Sequence, residues 1–93
     1  MDIEIIAEVN KVSERIQKLR TERRMSQMDL AVEAGISQGF LAMIETKRKI
    51  PTIMTIFKLA KALNVRASAL MEDADTSREQ KKREIISLIQ KNL

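Results

Sequence analysis

Gln38 carries a primary amide at the expected head of a short helix, and such an amide can hydrogen-bond adenine N6 and N7 together. Lys47, Arg48 and Lys49 follow at the tail of the same helix. An ordinary solvated loop is the lesser reading of these residues even in isolation, and beside a helix of this kind they read as clamps for phosphate. Ser26 and Ser37 each precede a helix start, where the hydroxyl caps the first turn and exposed backbone N–H groups attract phosphate. Covalent and metal chemistry have little to work with, because the chain contains no His, Cys, Trp or Tyr. The remaining Asp, Glu, Lys and Ser are scattered without a pairing signal. No catalytic residue, no metal site and no cofactor is therefore expected.

The elements that must position these groups fit a single domain with one modest core, since 93 residues are too few for two. The net charge of +4 is compatible with a polyanionic partner, and it is localised. Residues 1 to 10 contain Asp2, Glu4 and Glu8 and no base; residues 11 to 24 contain Lys11, Arg15, Lys18, Arg20, Arg23 and Arg24 against Glu14 and Glu22. No apolar run approaches the roughly 20 residues of a membrane span. The N-terminus carries acids where a secretory signal would be basic, and the chain lacks cysteine, so the expectation is a cytoplasmic protein with no membrane partner.

Helix breakers are scarce: the only proline is Pro51 and the only glycines are Gly35 and Gly39, so the expected class is all-α. Ile5, Val9, Val12, Ile16 and Leu19 share a helical face, predicting a first helix from about Asp2 to Arg23; a break near Asn10 to Ser13 is equally allowed. Ser26 with Asp29 predicts a second helix over about Gln27 to Ala34, ended by a left-handed Gly35. A third follows over about Gln38 to Thr46, with Leu41 and Ile44 inward, Ile36 buried from the turn and Phe40 against a neighbouring helix. Pro51 or Thr52 opens a fourth to Leu63, in which Ile53, Ile56, Leu59, Ala60 and Leu63 recur at helical spacing. Val65 and Leu70 anchor a short fifth. After an acidic connection, Thr76 with Glu79, or Ser77 with Gln80, caps an amphipathic last helix carrying Ile85, Ile86, Leu88, Ile89 and Leu93. The expected organisation is an extension of the first helix over 1–11, a domain over 12–71, and the connection and terminal helix over 72–93.

Two short helices joined by a tight glycine-containing turn form a helix-turn-helix, and residues 26 to 46 have that layout. The stretch MSQMDLAVEAGISQGFLAMIETKRKIPTIMTIFKLAKAL resembles the Cro and repressor-type helix-turn-helix domain, often called the XRE family. Ser26-Gln27, Leu30-Ala31, Ala34-Gly35-Ile36-Ser37, Ile44-Glu45, Pro51 and Leu59-Ala60-Lys61-Ala62-Leu63 match together, in order and at family spacing. The resemblance covers roughly Val12 to Met71. It implies a five-helix repressor-like domain that binds double-stranded DNA, with Gln27 bracing a phosphate and Gln38, Gly39 and Met43 at the groove-facing positions. Phosphate contacts would come from Gln27, Ser37, Thr46, Lys47, Arg48 and Lys49. Gly39 and Met43 depart from the polar residues common in the family, Met43 being able to touch only an apolar group such as a thymine methyl. Thr46 and Lys47 likewise replace the polar residue and glycine often found there. Glu45 reads as an intradomain salt-bridge partner, since phosphates would repel it.

One recognition helix samples few base pairs and discriminates poorly among genomic sites, so a homodimer on an inverted-repeat operator is expected. The expected interface is the terminal helix through Ile85, Ile86, Leu88, Ile89 and Leu93, completed by Ile3, Ile5, Ile6 and Val9. An alternative use of that helix is engagement of a protein antagonist or toxin, the chain then being an antitoxin-like regulator of its own synthesis.

Overall fold

The computed structural model describes residues 2–72, which form α1 (Ile3–Glu22), α2 (Gln27–Ala34), α3 (Gln38–Glu45), α4 (Ile53–Leu63) and α5 (Ala67–Met71). No strand occurs among the described residues. The core is Val12 and Ile16 of α1, Leu30, Ala31 and Ala34 of α2, Leu41 and Ile44 of α3, Ile56, Leu59, Ala60 and Leu63 of α4, and Leu70 of α5. Ile36 and Phe40 pack against its edge as partly buried side chains. The expected terminal helix, with its capping residues and Ile85, Ile86, Leu88, Ile89 and Leu93, lies outside the described residues.

α1 is continuous, so Asn10 and Ser13 do not break it. Asp2 caps it, accepting the Glu4 N–H at 2.7 Å, and the inward stripe begins only near Val12. Twenty residues at 1.5 Å each make α1 about 30 Å long, longer than the shorter helices can cover. Its first turns therefore project past the core, leaving Ile3 83% exposed and Ile5 and Ile6 exposed as well. Ile5 is thus not part of the core stripe its spacing suggested.

Local chemistry sets the α2–turn–α3 unit. The Ser26 hydroxyl accepts the Asp29 N–H and the Asp29 carboxylate accepts the Ser26 N–H, both at 2.9 Å. Gly35 ends α2 at φ 71, in the left-handed region where glycine meets no steric penalty. Ser37 then caps α3 by accepting the Phe40 N–H at 3.0 Å.

α4 differs from its expected register at one residue. Thr52 is the N-cap, accepting the Thr55 N–H at 3.2 Å, and the buried face is Thr55, Ile56, Leu59, Ala60 and Leu63. Ile53 is 69% exposed. At 100° per residue it stands roughly 120° around the helix from Leu59, so threefold spacing from Ile56 did not bring it inward.

Candidate nucleic-acid interface

The expected site residues gather at the two ends and along the outer face of α3, and the way that helix is fastened explains their arrangement. Leu41 and Ile44 are fully buried against the core. The third anchor is polar. Arg20 of α1 grips the Glu45 carboxylate with two bonds, Nε to Oε2 at 2.8 Å and Nη2 to Oε1 at 2.9 Å, and its Nη1 donates to the Met25 carbonyl at 2.8 Å. The Glu45 side chain is 2% exposed and that of Arg20 12%. The bidentate bond to Glu45 raises the Arg20 pKa above its ordinary value, overcoming the opposing effect of burial.

Gln27, the first residue of α2, joins this cluster by donating from Nε2 to Glu45 Oε1 at 3.2 Å. One carboxylate thereby ties together α1, the start of α2 and the end of α3. The bond uses one of the two hydrogens on Nε2, leaving the second hydrogen and the carbonyl oxygen of Gln27 for an outside partner. Glu45 is the intradomain salt-bridge partner that its charge suggested. Arg20, by contrast, counts from sequence as one more surface charge of the basic stretch, and nothing in its local pattern marks the partner 25 residues away.

Gln38 is exposed at the head of α3, and its side chain makes no hydrogen bond among the described residues. Gly39 beside it is exposed; a Cβ built there would meet nothing within 4 Å, and its φ lies outside the left-handed region. The fold therefore has no need of glycine at this position. Met43, one turn on, is half-buried.

The tail of α3 is more self-engaged than its residue types suggest. Thr46 donates its hydroxyl to the Ala42 carbonyl at 2.8 Å and its backbone N–H to the same oxygen at 3.0 Å. Neither donor of Thr46 is free for a phosphate in this arrangement. Lys47 sits at φ 65 and donates from Nζ to Glu14 Oε1 of α1 at 2.8 Å. That bond is the largest cause holding the Glu14 pKa below the ordinary carboxylate value; the charges of Lys47, Lys11 and Arg15 add to it. Arg48 and Lys49 are exposed, and their side chains make no hydrogen bond among the described residues. Their backbone N–H groups both donate to the Met43 carbonyl, at 2.9 and 3.1 Å, which closes the turn and projects two cations beyond the end of α3.

The chain belongs to the helix-turn-helix family HTH_3, whose profile matches residues 16–70. It is similar to the immunity repressor protein of Bacillus phage phi105, at 35% identity over 69 residues, which cover 74% of this chain and 48% of that protein. It thus spans about half the length of that relative. A second relative is the HTH-type transcriptional regulator y4dJ of Sinorhizobium fredii, 33% identical over 69% of this chain and 83% of that protein. Among solved structures, the restriction-modification controller protein C.AhdI from Aeromonas hydrophila superposes with a TM-score of 0.66 at 30% identity, covering 69% of this chain and 97% of that one. The N-terminal DNA-binding domain of SinR from Bacillus subtilis does so with the same TM-score at 27% identity, covering 71% of this chain and 97% of that one. No helix among the described residues is long and apolar enough to cross a membrane.

Proposed function

We propose that this chain is a DNA-binding transcriptional regulator, most simply a repressor, that reads double-stranded DNA by laying α3 in the major groove. The observation that carries the reading is the exposed, unbonded amide of Gln38 at the head of a helix whose attitude is fixed by the Arg20–Glu45–Gln27 cluster. An unpaired amide at that position is poised for bidentate pairing with adenine, and Gln27 at the start of α2 keeps its second amide hydrogen for a backbone phosphate. Arg48 and Lys49 supply neutralising charge at the other end, and Ser37 caps the helix N-terminus next to Gln38. The phage relative bearing the name of a repressor supports the direction of regulation.

The reading includes a homodimer on an inverted repeat. Ile3, Ile5 and Ile6 stand exposed on the projecting first turns of α1, an apolar surface whose burial a second copy would accomplish. Selection of bound duplexes from a random pool tests the proposal. An inverted repeat with an adenine in each half, lost from the selected sequences when Gln38→Ala is used, is the expected result. Recovery of no consensus at all overturns specific reading, and a non-repeated site bound by a chain that sediments as a monomer at micromolar concentration overturns the dimer.

A further inference from the structure

We infer that the outer face of α3 selects its half-site by the C5-methyl groups of pyrimidines in the major groove, Gln38 being its single hydrogen-bonding reader. This rests on the DNA-binding reading above and narrows the class of sequence read. At 3.6 residues per turn, positions 39, 42, 43 and 46 lie together, opposite the inward Leu41, Ile44 and Glu45. Gly39 brings no side chain, Ala42 a methyl and Met43 a thioether. Thr46 looks like an exception, but its hydroxyl hydrogen goes to the Ala42 carbonyl of its own helix, 2.8 Å away, and what remains is a second methyl and an acceptor oxygen. No side chain at these four positions therefore offers a free hydrogen-bond donor.

The edges of the base pairs in the major groove are lined by amide, amino and ring-nitrogen groups, and one apolar substituent occurs there, the methyl on C5 of thymine. Pressing side chains without donors on guanine O6 and N7 strips those acceptors of water and returns nothing, and a bare cytosine edge offers no methyl to bury. Pressing them on a C5-methyl buries carbon against carbon. Gly39 fits the same purpose. It is a destabilising choice within a helix, no contact of the fold calls for it, and the space a Cβ would occupy is open, so the backbone of α3 can come close to the bases. Met43, unbranched and polarisable, can settle on a methyl from several directions. Cytosine methylated at C5 presents the same group as thymine, so the chemistry recognised is the methyl and either base can supply it.

The test uses the unaltered protein and altered DNA. In the selected site each thymine is replaced in turn by deoxyuridine, which removes the methyl and keeps every hydrogen-bonding group, and affinity is measured by fluorescence anisotropy. At one or two positions in each half-site the replacement should weaken binding about fourfold, the worth of one buried methyl-sized group. At those positions the Met43→Ala protein, checked for folding by its thermal melt, should be indifferent to it. A third arm places cytosine or 5-methylcytosine there. The methylated base should bind more tightly than cytosine, and its rank against thymine tells which base is the natural source. Uracil tolerated at every position, or a penalty identical in Met43→Ala, overturns methyl reading while leaving DNA binding standing. A wild-type chain that binds no duplex overturns both.

Discussion

Lys47 and Glu14 meet across the junction of α1 with the turn after α3, Nζ standing 2.8 Å from Oε1, so in the proposed DNA complex a phosphate would have to displace a carboxylate of the chain itself from Lys47. Both side chains are well exposed, and such pairs contribute little to stability, which makes the partner easy to exchange. Glu14→Gln is therefore expected to tighten binding to all duplexes alike. One additional released counterion corresponds to about fivefold at 0.15 M salt and to a log-log salt slope steeper by about 0.9. Glu8→Gln, which removes the same charge from the Lys11 pair elsewhere on α1, is the control. Equal effects from the two variants would show that only net charge matters.

The backbone of Lys47 gives a second expectation. At φ 65 a lysine tolerates a conformation that glycine adopts freely. Lys47→Gly should melt no lower than wild type and yet bind DNA more weakly, separating the role of the ammonium from that of the turn. A large loss of thermal stability would show that the Glu14 contact braces the fold.

Glu45 is expected to matter to both stability and binding. Glu45→Ala leaves the Arg20 guanidinium, 12% exposed, without its countercharge and with only the Met25 carbonyl to bond, at a cost of about 3 kcal/mol. For a domain of this size that lowers the melting temperature by more than about 10 °C. Glu45→Gln keeps the shape and one acceptor oxygen, for which Arg20 and Gln27 then compete; it should melt between wild type and Glu45→Ala, and should lose affinity for specific and random DNA in the same proportion because the tether of Gln27 weakens. Chemical denaturation and anisotropy titrations check the pair of outcomes.

Gly39→Ala should stabilise the free protein by roughly 0.5 to 1 kcal/mol, since α3 gains a better helix former and the new methyl meets nothing within 4 Å. The same variant should bind its operator more weakly, because the methyl stands where the groove approaches. A variant that gains stability and keeps full affinity would place Gly39 away from the bases.

Acidification should loosen the start of α2. The Asp29 pKa lies below 3.8, first through the bond from the Ser26 backbone N–H and then through the Ser26 side chain. A depressed folded value means that the contribution is complete at pH above 3.8 and disappears as pH falls through the folded value. The difference in melting temperature between wild type and Asp29→Asn should therefore be constant from neutrality down to about pH 5 and shrink below pH 3.8. Ser26→Ala, which removes the cap itself, should cost about 1 kcal/mol across that range.

What sequence made legible was whatever rests on neighbours along the chain. Ser26 with Asp29, Gly35 and Ser37 act within one turn of themselves, so the bounds of α2 and the start of α3 could be read directly. Ile53 could not be placed, because a spacing of three from Ile56 satisfies the helical period on either side of the packed face. The assignment of Glu45 as an internal partner followed from its sign beside phosphates, yet Arg20 and Gln27 as its companions depend on how α1 and α2 dock. The turn of the Thr46 hydroxyl onto Ala42 is local chemistry that threonine in a last helical turn often performs. The Lys47–Glu14 pair spans 33 residues and is written nowhere in the local pattern.

Leu41, Ile44 and Glu45 fasten α3, whereas Gly39, Ala42, Met43 and Thr46 fasten little. If that outer face reads the bases as proposed, the address that the protein recognises can drift by single substitutions while its architecture stays intact. A duplicated copy of this gene would need few changes to acquire a separate set of targets, and each intermediate along the way would still fold.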